Sequence, residues 1–156
     1  MINFKNFESK NIILIIFAVY FFYIFGIFIF SEHINSANFK DGYILGGDSE
    51  RLIEGAYQIL NLEYPTGKKS SYLGYIIFIS FFLFLKLNLS YIAISQIFLT
   101  VLSALCIFRI SKKFSSEFGG LFSLSLYLFY FPLQIRNFYI LTETLFICSV
   151  IFIIYF

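Results

Sequence analysis

The chain has 156 residues, 60% of them hydrophobic, 23% aromatic and only 13% charged, with a net charge of +2 and mean hydropathy of +0.85. A soluble domain of this length leaves roughly 30% of its surface to be covered largely by polar groups, which this composition does not provide, so the chain belongs in a bilayer. So small a charge, with its basic residues scattered rather than in a stripe, excludes nucleic acid as a partner.

Runs free of Asp, Glu, Lys, Arg and His cover residues 11–31, 70–85, 87–108, 118–135 and 144–156. Spanning a hydrocarbon core takes about 20 apolar residues; the first and third runs reach that length and the fourth comes close. The first predicted span is 12–30. Lys5 and Lys10 precede it as they would a signal peptide, but its apolar core exceeds the usual 7 to 15 residues and no small-x-small site follows, so a retained anchor is expected.

A polar stretch follows, and within it GGDSERLIEGAYQIL (46–60) has helical periodicity: Ile53, Ala56, Tyr57 and Leu60 form one stripe, with Glu50, Arg51, Glu54 and Gln58 on the other faces. The spacing predicts an amphipathic helix over 49–60 lying on the membrane surface, with a turn at Pro65 and Gly67. The next apolar segment, 72–85, lies between Lys69 and Lys86 and is short for a span of about 30 Å at 1.5 Å per residue.

Basic residues decide its placement, because the cytoplasmic side carries the excess near span ends. If every run crosses, Lys5, Lys10, Lys86 and Arg136 face the cytoplasm against seven basic residues outside. If 72–85 does not cross, Lys5, Lys10, Arg109, Lys112 and Lys113 are inside in two short segments, against six over a much longer exterior. The second arrangement fits better. The spans are then 12–30, 90–108, 119–135 and 144–156, with helices at 49–60 and 72–85 in an exterior loop over 31–89. The expected fold is all-α, a polytopic membrane helical bundle with a cytoplasmic N-terminus and an amphipathic juxtamembrane helix in the first exterior loop. The last run reaches Phe156 without a polar flank, so these residues are expected to be the front part of a longer chain.

This topology puts Asp48 and Glu143 on one side of the membrane. Asp48 suits an N-cap of the helix over 49–60, and equally a surface carboxylate that takes a proton from an acceptor hydroxyl behind the flexible Gly46-Gly47. Glu143, in LTETLF, stands at the edge of an uncharged run, where an acid marks a site or a buried partner; a first-turn Glu behind Thr142 is the plain alternative. Arg136 is placed to grip a phosphate or to anchor at the interface, and Lys68 and Lys69 form a basic pair at headgroup level. His33 stands alone and Cys106 and Cys148 fall in apolar runs, so no metal site is expected.

The order of these features resembles the start of the GT-C class of membrane glycosyltransferases. The loop Asp and helix of GGDSERLIEGAYQILN, the turn EYPTGKKSSYLGYIIFISFFLFLKLN, and the span, basic turn, Pro-ended span and acid-bearing loop of SQIFLTVLSALCIFRISKKFSSEFGGLFSLSLYLFYFPLQIRNFYILTETLF are each similar to regions of that class. The nearest subgroup is the family 39-like one, with protein O-mannosyltransferases and bacterial lipid-A aminoarabinose transferases. The resemblance implies transfer of a sugar from a polyprenyl-phosphate donor to an acceptor hydroxyl at the exterior face of a membrane, for a bacterial member the inner membrane. It implies Asp48 as catalytic base, Glu143 as the second exterior acid, Arg136 near the place of an arginine that often precedes that acid, and room for a divalent cation; Glu50, Lys68 and Lys69 are further candidates to bind substrate or phosphate. The chain departs from the pattern with Leu73 where a Pro is usual, with Glu rather than Asp at 143, and in lacking the later spans. The alternative is a non-catalytic polytopic membrane protein, either a transporter fragment or a small membrane scaffold.

Overall fold

A computed structural model describes residues 9–34 and 38–156, so Lys5 lies outside the described residues. Helix α1 (Ser9–Ile34) leads into a two-residue hairpin, β1 (Phe39–Lys40) and β2 (Tyr43–Ile44), followed by α2 (Ser49–Leu60), a 3-10 segment (Gly67–Tyr72) and α3 (Leu73–Phe84). Then come α4 (Ser90–Phe114), α5 (Glu117–Phe129), the short α6 (Phe131–Gln134), a second 3-10 segment (Ile135–Phe138) and α7 (Glu143–Tyr155). The protein is all-α apart from the hairpin, which turns through Asp41 and Gly42 at positive φ, as a tight two-residue turn requires.

Two helices, α1 and α4, are long and apolar enough to cross a membrane, and the bent α5–α6 pair makes a third if taken as one span. Much of their apolar surface faces outward: Phe21, Phe22, Phe25, Phe98, Phe122 and Leu126 are all more than half exposed. A water-soluble monomer rarely presents so large an apolar area; the helices are consistent with a membrane protein.

The expected single span over 119–135 is broken, with α5 and the segment after it meeting at 55°. Pro132 is the cause, since a proline inside a helix lacks an N–H donor and its ring clashes with the carbonyl four residues back. Tyr130 accordingly turns extended, and side chains take over carbonyls left free at the end of α5: Tyr23 donates to Phe129 O at 3.2 Å and Gln134 Nε2 to Tyr127 O at 2.9 Å.

Helix α4 is the central post, packing against both α5 and α7. A Cβ on Gly120 would lie 2.9 Å from the carbonyl of Phe108, so only glycine lets α4 and α5 approach this closely. The turn between them is closed by Ser116, whose hydroxyl accepts from Gly119 N at 3.1 Å as an N-cap.

The buried face of α2 is rotated from the one expected. Leu52, Gly55 and Ala56 are buried, whereas Tyr57 is exposed and Ile53 and Leu60 are only half-buried. The reason is a partner: α2 packs on α3, and Gly55 receives Ile76, whose Cδ1 would lie 2.8 Å from a Cβ at that position. Ser80 adds a 3.3 Å bond to Ala56 O. This helix therefore rests on protein along the face that carries Leu52.

Candidate functional site

The hairpin, the glycine pair and the start of α2 form one unit stitched to the strand-like segment before α7. Ile140 N donates to Ile44 O at 3.3 Å, and Ile44 bridges Tyr139 in parallel register. Ser49, fully buried, accepts from Gly46 N at 2.8 Å and donates to Ile140 O at 3.0 Å. Gly46 lies against Tyr139 and Leu141. Asp48 adjoins Ser49 and Glu143 follows Ile140 by three residues, a chain reach of about 11 Å, so the two acids flank one junction.

Asp48 occupies the N-cap position of α2, but its side chain bonds none of the helix amides. It pairs instead with Arg51 at 3.0 Å, and Arg51 lies over the ring of Tyr72 at 5.5 Å. Glu143 opens α7 and pairs with Arg136 at 3.2 Å through Oε1; its Oε2 is buried and has no hydrogen-bond partner. Arg51 Nε is likewise buried and unpartnered, as is the hydroxyl of Thr144. These three polar atoms are shut away from solvent in this structure.

Close by, a cleft of about 360 Å³ is lined by Ser71, Tyr72, Gly74 and Tyr75 on one side and by Thr142, Leu145, Phe146 and Ser149 on the other; Asp48 and Glu143 do not line it themselves, although Tyr72 carries the Arg51 guanidinium and Thr142 precedes Glu143. Its walls combine the hydroxyls of Ser71, Tyr72, Thr142 and Ser149 with the apolar side chains of Leu145 and Phe146. Tyr75 is held by a 3.2 Å bond to Gln96 Oε1, and burial, then the nearby Glu143 charge, push its phenol up, so it remains a donor.

The other expected residues are placed differently. Lys69 is committed to Glu54 at 2.8 Å and to Gln58 at 3.4 Å, tying the 3-10 segment to α2. Lys68 and Glu50 are exposed, and no contact brings either to the cleft. A divalent cation takes six or more oxygens; here each acid has an arginine partner, and among the described residues no group of three His, Cys, Asp or Glu side chains converges. The residues do not fit a cation cage.

Behind the cleft lies a buried polar chain that no charge pattern signalled. Tyr20 donates to Gln134 Oε1 at 2.7 Å, Asn137 Nδ2 donates to the same oxygen at 3.0 Å, and Thr100 donates to Asn137 Oδ1 at 3.1 Å. Gln96 then donates to the carbonyls of Asn137 and Tyr139 at 2.9 and 3.0 Å and accepts from Tyr75. These bonds run from α1 to α3 through α4 and fix the segment carrying Arg136 and leading into Glu143.

No family model, curated protein or solved structure matches the chain. The site consists of two acids that each hold an arginine, a nearby cleft of hydroxyl and apolar side chains, and a buried polar frame.

Proposed function

We propose that this chain belongs to a polytopic membrane glycosyltransferase of the GT-C type, with a cytoplasmic N-terminus, acting at the exterior face on a polyprenyl-phosphate sugar. The Ser49–Ile140 bond carries the reading, because it ties the loop of Asp48 to the segment of Glu143 beside an open cleft.

In this mechanism the half-exposed Asp48 carboxylate takes the proton of the acceptor hydroxyl. The hydroxyl oxygen attacks the anomeric carbon while the bond from that carbon to the phosphate oxygen breaks, and the phosphate leaves with the electron pair, inverting the sugar. Arg51 and Arg136 meet the phosphate charge, with Glu143 orienting Arg136 through their ion pair. Ion pairs at this exposure contribute only about 0 to 1 kcal/mol, so incoming groups displace them cheaply. The apolar side chains of the cleft, Leu145 and Phe146, receive the first part of the lipid chain.

The test is transfer from a polyprenyl-phosphate sugar by the full-length protein in membranes. Removing a general base lowers such rates about 10²- to 10⁴-fold, so Asp48→Asn is expected to lose activity on that scale while keeping its melting temperature. Unchanged transfer removes Asp48 from the mechanism.

One observation favours a second reading, a membrane scaffold or transporter fragment without catalysis. Asp48–Arg51, Glu143–Arg136 and Lys69–Glu54 are all self-satisfied pairs that hold loops together. Under that reading no sugar is transferred, and Asp48→Asn lowers the melting temperature instead.

A further inference from the structure

At the other end of the bundle, α4 and α7 finish side by side and leave a groove of about 460 Å³, a size typical of small-molecule sites. Arg109 and Lys113, one turn apart on α4, line it together with Ile110 and Phe114 of the same helix and with Ile154, Tyr155 and Phe156. Arg109 donates to the Tyr155 hydroxyl at 2.8 Å and lies 5.9 Å from the centre of that ring. This fixes the guanidinium and leaves its other donors open. Lys113 has no carboxylate partner among the described residues, while the neighbouring Lys112 is held by Glu117 at 3.2 Å. Arg109 and Lys113, neither ion-paired with a carboxylate among the described residues, thus border an apolar wall at the end of a membrane-length helix.

We propose that this groove binds an anionic phospholipid, with Arg109 and Lys113 on the headgroup phosphate and an acyl chain running along Ile110 and Ile154. A phosphate accepts the fork of a guanidinium and the point charge of an ammonium together. An apolar wall directly beside them selects a lipid over a free anion, and Ile154 is largely exposed, as a side chain covered by an acyl chain would be. The inference rests on α4 and α7 lying in a membrane and not on glycosyl transfer.

Native mass spectrometry of the full chain in a nonionic detergent tests it, with phosphatidylglycerol, phosphatidylcholine of the same acyl chains, and inorganic phosphate as probes. Phosphatidylglycerol is expected to be retained at one site in preference to phosphatidylcholine, and inorganic phosphate not to displace it. Each cation at an anionic lipid surface accounts for roughly fivefold in affinity, so Arg109→Gln with Lys113→Gln weakens retention about thirtyfold, and Arg109→Lys with Lys113→Arg restores most of it. Equal retention of the two lipids, displacement by inorganic phosphate, or a double variant that binds like the wild type overturns the proposal. Resistance of the protein to alkaline extraction from membranes separates a failure of this site from a failure of the membrane placement.

Discussion

Asp48 and Glu143 stood out because charge is rare in this chain, and each meets an arginine close by in sequence, three residues away for Asp48 and seven for Glu143. The residues that hold them in place were silent for the opposite reason. Gln96, Thr100, Gln134 and Asn137 carry no charge, so they do not interrupt an apolar run, and their partners lie up to 114 positions away. Leaving a buried polar group without its partner costs about 1 to 3 kcal/mol. Gln96→Leu strips the Tyr75 hydroxyl and two carbonyls at once, so a clear fall in melting temperature is expected, with none for Ser95→Ala, which only loses a bond to its own helix. Equal melting of the two variants would show that the polar chain is dispensable.

At the scale of elements, the charge-free runs located α1, α4, α5 and α7, and the 3.6-residue period located α2. The face that α2 buries was not legible, because it is chosen by Ile76 of α3 filling the space at Gly55, a contact between residues without any local signal linking them. The hairpin did have one: Asp41-Gly42 between Phe39 and Tyr43 is a tight-turn pair that went unread amid the polar stretch. The α4–α5 contact yields a sharp expectation. In an open helix Gly→Ala gains up to about 1 kcal/mol of propensity, yet at Gly120 the new methyl meets the Phe108 backbone carbonyl, which has nowhere to go. Gly120→Ala should therefore destabilise the protein by about 1 to 3 kcal/mol, read as a lower melting temperature, while Gly47→Ala, with nothing within 4 Å, should not.

For the molecule as a whole, α4 sets the vertical scale. From Gln96, bonded to the segment before Glu143, to Arg109, bonded to Tyr155, the helix rises about 20 Å. The junction near Glu143 and the basic groove thus belong to opposite ends of α4. A membrane-impermeant amine reagent applied to intact cells should label Lys86 and spare Lys112; labelling of both from one side contradicts the topology. Helix α1 is the loosest member, held by Tyr20, Ile24 and Ile27 on one edge and otherwise facing away.

The buried hydrogen-bond chain has a bearing on how the protein is made. The ribosome delivers α1 and α4 before Gln134 and Asn137 exist, so Tyr20, Gln96 and Thr100 enter the membrane without their final companions. Synthesis of the stretch past Pro132 then acts as the latch, and a nascent chain stalled before it should be the species most exposed to quality-control proteases.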